Sequence, residues 1–543
     1  MKKDSLLKGT AVLGAALIIA KIIGLVYRLI LPNLVGTQVM GLYGMAYSVY
    51  TVLLTLSMAG IPVAISKLIS GYIALNDYNG AKRVFKIAFI AITITGLVFS
   101  IILFFGAEFI ADNVTGDSRA YLSLQAVAPA IFVVAIMSSF RGYFQGLQQM
   151  SKTAMSQVLE QLLRVAGIII FAYILLPFGA EFAAAGAAFG NVIGSFTGLC
   201  YLAVCYFKTP VKWAAPQESF NNGIARLETN IEKLENDEKS LSILKKILYL
   251  SFPIIIGNLI MPLMNLIDAT VVVNRLTGVG FGQHEATAMF AHLTQYANPL
   301  IMFPGTLGMA LSMSLVPAIS ESIAQNNTGQ AERRAKLALR FAILIGLPST
   351  VGMFILSGQI IDLIFPRDPE AAVVLRYLSP AVIFLILKFA TTGILQGLGK
   401  TMLPVKNLFI GALLKLIMTY FLTSIPEINV KGAALGTVLA HLLATFLNYI
   451  DTKKYLDIKM RLMPDLVKPL LSTLGMVIGV LSGFWFLNNH MSQNIATVIT
   501  IGIGILVYTI LVLGLKVVQK DEVNAIPRYG DKIVKLLENL KVW

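Results

Sequence analysis

Residues 84–106 read Val-Phe-Lys-Ile-Ala-Phe-Ile-Ala-Ile-Thr-Ile-Thr-Gly-Leu-Val-Phe-Ser-Ile-Ile-Leu-Phe-Phe-Gly, directly after Lys82-Arg83. Only Lys86 is charged, and it lies at the basic end. An α-helix needs about 20 mostly apolar residues to cross the hydrocarbon of a bilayer, so this stretch is a transmembrane helix with its cationic end in the cytoplasm. Working outward, similar stretches fall near 10–34, 40–66, 120–140, 154–177, 182–207, 244–274, 287–318, 338–357, 371–396, 404–424, 431–450, 466–487 and 495–517, about fourteen spans in all.

The composition agrees. Of 543 residues, 57% are hydrophobic and 13% charged, with a mean hydropathy of +0.77. A water-soluble chain carries about 25% charged residues, so lipid is the solvent here. The net charge of +15 is strung between apolar stretches and forms no patch, which excludes a nucleic-acid partner. Inner segments hold Lys67, Lys82, Arg83, Arg141, Lys152 and the clusters 208–246, 333–340, 400–406, 453–468 and 516–541. Outer loops hold Arg119, Arg275, Arg367, Arg376 and Lys431. This asymmetry predicts an even helix count with both termini in the cytoplasm. Lys2, Lys3 and Lys8 precede an apolar run, but Lys21 and Arg28 interrupt it and no small-residue cleavage site follows, so it reads as a retained helix. Cys200 and Cys205 fit neither a metal site nor a disulfide framework.

The chain repeats itself at an offset of about 250. Ala81, Arg83, Lys86 and Ala88 match Ala331, Arg333, Lys336 and Ala338. Pro129 matches Pro380, Gly142-x-x-Gln145-Gly146 matches Gly393-x-x-Gln396-Gly397, and Gly186 to Gly190 resembles Gly432 to Gly436. The expected fold is all-α, with two six-helix lobes at 1–207 and 244–450 in parallel repeat. Two further helices (13 and 14) lie at 451–520. Residues 208–243 form a cytoplasmic amphipathic linker (Ile224, Leu227, Ile231, Leu234) and 521–543 a cytoplasmic tail patterned by Ile533, Leu536, Leu537 and Leu540. Two similar lobes enclose a cavity that alternates between the two faces by rocking.

Ionisable residues inside spans cost at least about 2.5–3.5 kcal/mol each and mark function. Lys21 and Arg28 stand seven residues apart on one face of the first helix; they either line the cavity or snorkel toward the head groups, which both cannot do at one interface. Glu160 and Arg164, four residues apart, either line it too or form a structural ion pair. Asp268 and Lys415, an acid and a base in the second lobe, approach each other or share a cation or proton. Lys388 is expected to snorkel from a helix end and His441 to be a packing histidine. Unpaired cations in the first lobe suit an anionic head group, such as the diphosphate of a prenyl-linked sugar.

Leu7-Lys8-Gly9-Thr10, Gly60-Ile61-Pro62-Val63-Ala64-Ile65-Ser66-Lys67, Arg141-Gly142-Tyr143-Phe144-Gln145-Gly146 and Ser156-Gln157-Val158-Leu159-Glu160-Gln161 carry a family resemblance. The chain resembles the polysaccharide-transporter branch of the MOP exporter superfamily, in particular the stage V sporulation protein B-like and MurJ-like lipid II flippases. The resemblance implies a fourteen-helix carrier that moves an undecaprenyl-diphosphate-linked sugar across the bilayer without chemical change. Lys21, Arg28, Glu160 and Arg164 would serve the substrate. Asp268 resembles a helix-7 acid that joins a sodium site in some members, with Asn407 and Thr437 as co-ligands. Two departures stand out: no Lys or Arg occurs between Gly41 and Ser66, and Gly411 and Lys415 occupy the second lobe's cation site.

The expectation is therefore a non-enzymatic, monomeric flippase in the bacterial plasma membrane that the resemblance implies, needing no cofactor beyond Na+ or H+ as coupling ion. Its partners are the lipid-linked oligosaccharide and membrane lipid. A cation-coupled multidrug antiporter is the alternative, and would place acids in the first-lobe cavity. A membrane glycosyltransferase needs metal-binding carboxylates near a membrane face, whereas Asp112, Asp117, Asp368 and Glu370 are scattered loop charges.

Overall fold

A computed structural model describes residues 6–208 and 240–518. In the first helix, the side chains of several residues up to 25, Lys21 among them, lie outside that description, as do the amphipathic linker and the C-terminal tail. The described backbone is helical, with turns between. The first helices are α1 (Leu6–Met58), α2 (Ile61–Ala74), α3 (Tyr78–Phe105), α4 (Tyr121–Gly146), α5 (Met150–Leu175), α6 (Ala180–Lys208) and α7 (Ser240–Gly278). There follow α8 (Gln283–Ala291), α9 (Asn298–Ala324), α10 (Thr328–Ile355), α11 (Ser357–Ile364), α12 (Ala371–Leu378), α13 (Ala381–Gly397), α14 (Met402–Thr423), α15 (Val430–Lys453), α16 (Lys468–Asn488) and α17 (Gln493–Gly514).

Twelve helices among the described residues are long and apolar enough to cross a membrane, or thirteen if α12 and α13, bent by 44°, count as one span. The fourteen expected from sequence differ at one place. The run Ile22–Ala74 is one continuous stretch of 53 residues that takes in the latter part of the first predicted span and all of the second. At 1.5 Å per residue it would extend about 80 Å if straight, against about 30 Å of hydrocarbon. It is not straight. Gly36 sits at φ 80°, ψ 174°, and Gly60 at φ 80° separates α1 from α2.

The chain divides into two compact units, Met1–Thr270 and Val271–Trp543. The division falls inside α7, later than the linker from which the repeat starts its second lobe. Packing explains this. Ile243 and Ile247 of α7 join the first unit's core with Ile65, Ile69, Val84, Phe85 and Phe144. The Ser251 carbonyl lies 2.7 Å from where a Cβ on Gly60 would stand.

Inside each unit the repeat recurs in backbone detail. Asn76 (φ 60°) precedes Asp77, whose Oδ1 accepts from the Gly80 amide at 2.7 Å and caps α3. Asn326 (φ 55°) precedes Asn327, whose Oδ1 accepts from the Gln330 amide at 3.0 Å and caps α10. Gly146 packs on Ile69 and the Ser66 carbonyl; Gly397 packs on Ile319 and the Val316 carbonyl. Such small residues let helices close without side chains between them, which drives packing in lipid.

Large apolar side chains point outward instead of in. Phe105 is 79% exposed, Ile478 70% and Trp485 71%. Surfaces of this kind are stable only against hydrocarbon. The protein is a multi-pass membrane protein.

Candidate functional site

In the first unit, α5 brings Glu160 and Arg164 onto one face, and α6 closes over them. A Cβ on Gly194 would stand 2.5 Å from Arg164 Cβ, and one on Gly198 3.3 Å from Glu160 Cβ. Any larger residue would hold α6 off. Glu160 is buried, and its carboxylate accepts from two guanidinium groups at once: Arg141 Nη2 at 2.6 Å and Arg164 Nη2. Arg141 also donates to Ser156 Oγ at 3.1 Å, and Arg164 to Gln161 Oε1 at 3.4 Å.

Arg141 was expected in an inner loop as a topological charge. It instead lies in α4 and turns into the unit, because a buried carboxylate one helix away compensates its desolvation. The Glu160–Arg164 pair is thus part of a three-residue cluster.

Arg28, on α1 ahead of the Gly36 kink, meets a row of tyrosines. Its side chain hydrogen-bonds Tyr27 and lies beside Tyr43 and Tyr47. Tyr27 bonds Tyr43, and Tyr43 bonds Asn191 of α6. The tyrosines line one helix face, with Tyr43–Tyr47 and Tyr47–Tyr50 ring centroids each 5.8 Å apart, and Arg164 is within electrostatic reach of Tyr43, Tyr47 and Tyr50. Two guanidinium groups therefore share a single carboxylate, and a third, Arg28, faces the same tyrosines that Arg164 reaches, so the excess positive charge is dressed by phenol hydroxyls. Planar, many-donor guanidinium groups beside hydroxyl donors make a receptor for phosphate or diphosphate oxygens. Sequence reasoning missed Arg141 and the tyrosines. The 4-3 spacing of Tyr43, Tyr47 and Tyr50 was the visible signal; Arg141 opens the motif 141–146, which marks the family and does not reveal its partner.

The remaining sequence-derived residues lie on other helices. Asp268 is buried on α7. In the second unit Lys415 is buried on α14, at the position repeating Arg164, and a Cβ on Gly411 one turn before it would stand 2.7 Å from the Ala440 carbonyl. Asn407 donates to Asn448 Oδ1 at 3.0 Å and Asp451 Oδ2 at 2.8 Å, and Thr437 donates to its own helix at Ala433 O, 3.1 Å. The structure thus gives both expected co-ligands other partners. No group of three or more His, Cys, Asp and Glu placed to hold a metal occurs among the described residues.

Lys388 does not snorkel. It sits at mid-helix in α13, 5% exposed, with its ammonium 5.0 Å from the Phe389 ring centroid, because α9, α10 and α15 enclose that face. His441 is also buried, within electrostatic reach of Lys388 and Lys415.

The comparisons with known proteins agree with this architecture. The chain is 29% identical to stage V sporulation protein B of Bacillus subtilis (strain 168) over 541 residues, covering 98% of this chain and 100% of that one. It is 27% identical to the lipid II flippase MurJ of the same organism, covering 93% and 94%. Its fold matches the inward closed structure of lipid II flippase MurJ with a TM-score of 0.65 at 17% identity, covering 92% and 97%. It also matches an inward-facing multidrug resistance MATE transporter of the MOP superfamily with a TM-score of 0.63 at 16% identity, covering 80% and 94%. The MatE family matches residues 253–421. The family described as "Polysaccharide biosynthesis protein" matches residues 6–323, more than half of the chain, and the protein belongs to that family.

Proposed function

We propose that the protein is a flippase that carries an undecaprenyl-diphosphate-linked sugar from the inner to the outer leaflet by alternating access, both termini lying in the cytoplasm of a bacterium. The observation that carries this reading is the excess of cation in the first unit: Arg141 and Arg164 share the single carboxylate of Glu160, while Arg28 has only tyrosines beside it. Excess cation inside membrane spans is costly, and a lipid diphosphate offsets that cost only while bound. The relative named a lipid II flippase supports the same substrate class.

The multidrug-antiporter reading draws on the MatE match and the MATE-like fold. An acid in the first unit that attracts a cationic drug is its requirement. Glu160 is already shared by two arginines, which disfavours it. Within the flippase reading Asp268 serves ion coupling, and undiminished transport by Asp268→Asn would remove it from that role.

The test is depletion of the protein in its host, followed by quantifying lipid-linked precursors in each leaflet. Accumulation of one diphosphate-linked sugar in the inner leaflet is expected. Unchanged precursors with increased dye sensitivity would establish the antiporter instead.

A further inference from the structure

A buried polar path runs through the second unit, where the apolar pattern of α13, α14 and α15 alone suggests dry packing. It begins at Lys454, whose side chain is 61% exposed and whose Nζ donates to Asp451 Oδ1 at 2.7 Å. Asn407 bridges Asp451 Oδ2 at 2.8 Å and Asn448 Oδ1 at 3.0 Å. Asn448 in turn donates to Thr391 Oγ1 at 3.3 Å. One turn of α13 before Thr391 stands Lys388, and His441 of α15 is within its electrostatic reach.

Both residues sit near the middle of their helices, and both are about 5% exposed or less. Among the described residues no carboxylate lies within ion-pair distance of Lys388, and His441 Nδ1 has no hydrogen-bond partner. Burying such groups is costly unless the site does something with them.

We propose that Lys388 and His441 form a proton-binding site of the second unit, reached from the Lys454 end by the Asp451–Asn407–Asn448–Thr391 path. The inference rests on the transport reading above and names its coupling ion. In the step, a proton from water on one side adds to the free electron pair of Lys388 Nζ or His441 Nδ1. It returns to water on the other side when the lobe changes state, and no other bond changes. Water stabilises the protonated form and dry packing does not, so a change in hydration of the lobe changes the number of protons held.

The surrounding charges leave this pair in control. On α9, Glu321 is at the far end and engaged by Arg334. The charges of α10 lie in its first half, Glu332 to Arg340. Arg376 of α12 donates to Ser357, and Tyr420 of α14 lies under Arg275. On α15, Lys431, Asp451 and Lys453 stand toward the helix ends and Tyr449 lies under Lys453. Lys388 and Lys415 are the charges that act on His441. A sodium site would need oxygen ligands and negative charge in their place.

The full chain, reconstituted into phosphatidylethanolamine–phosphatidylglycerol vesicles with a fluorescent undecaprenyl-diphosphate-linked sugar, supplies the test. One coupled proton shifts the probe's distribution between leaflets about tenfold per imposed pH unit at equilibrium, since one unit is a tenfold change in proton activity. An equal sodium gradient shifts nothing. Lys388→Met and His441→Phe are expected to abolish the pH-driven shift. A shift under sodium but not under a pH gradient, or an intact shift in folded Lys388→Met, overturns the proposal. If the probe moves under no condition, the transport reading fails, and the site is judged separately by NMR titration of His441 in detergent. Its midpoint should move by at least about half a pH unit on Lys388→Met, and an unmoved midpoint rejects the site. Should Lys388→Met fail to fold, the wild-type comparison of proton and sodium gradients decides.

Discussion

At Glu160 two guanidinium groups share one carboxylate in a site from which water is largely excluded, so the cluster stands or falls together. Removing one member of a buried ionic group leaves uncompensated charge and costs about 3–5 kcal/mol. Glu160→Gln should therefore lower the unfolding temperature markedly in detergent; melting within a degree of wild type would show that the carboxylate does not organise the arginines. Arg28 faces the tyrosines instead of an acid. Arg28→Ala is expected to leave folding intact and to weaken binding of a diphosphate lipid about 10–100-fold, the worth of one charge-assisted hydrogen bond. Asp368 lies outside the spans, in the loop after α11, where it accepts from the Tyr296 hydroxyl at 2.9 Å. Burial pushes its carboxyl above the ordinary range despite that bond. A raised carboxyl favours the fold below its unfolded value near 4, and that contribution is lost as pH rises through the folded value. Asp368→Asn should thus be more stable than wild type at pH 7, with the advantage shrinking as pH falls toward 4; an advantage that grows in acid would contradict this.

At the scale of elements, glycines decide where helices bend and how closely they cross. Gly36 holds φ 80°, ψ 174°, a region almost closed to residues with a Cβ. Gly36→Ala should destabilise by about 1–3 kcal/mol although nothing lies within 4 Å of the added carbon. Gly352→Ala in α10 also meets nothing within 4 Å, and its backbone is helical. That change should be neutral or stabilise by up to about 1 kcal/mol, and thermal melts of the pair separate backbone strain from crowding. The element scale is also where the span count departed from expectation. Hydropathy sees two apolar stretches at 10–34 and 40–66, while the backbone passes between them through one kinked glycine and remains helical on both sides.

On the scale of the whole molecule, each unit is held by its own buried interactions. In the second unit Arg340 of α10, itself buried, meets Asp465 at 3.0 Å and donates to the Val517 carbonyl at 2.6 Å, tying α10 to the segment before α16 and to the turn after α17. Lys336 adds a second cation to Asp465 at 3.5 Å. Arg340→Met should cost about 3–5 kcal/mol by stranding a nearly inaccessible Asp465, and a double change with Asp465→Leu should recover much of the loss. Unfolding of single and double variants in detergent measures the coupling; simple additivity would show that the two side chains act apart.

Much of this was legible in the chain itself. Apolar length sets a transmembrane helix because a backbone in hydrocarbon must satisfy its own hydrogen bonds, so span 182–207 appears in the structure as α6 (Ala180–Lys208) and span 84–106 as α3, which starts earlier, at Tyr78. The 250-residue repeat was equally readable, since capping and close packing demand the same residue types at Asp77 and Asn327, or at Gly146 and Gly397. Cost in hydrocarbon singled out Arg28, Glu160 and Arg164 as residues of interest. Their partners were decided only in three dimensions. Arg141 and Lys388 each looked like cations placed near a helix end, and burial reverses that reading only once neighbouring helices are in place around them. Sequence position records distance along one helix, whereas the energy of a charge depends on what surrounds it from the others.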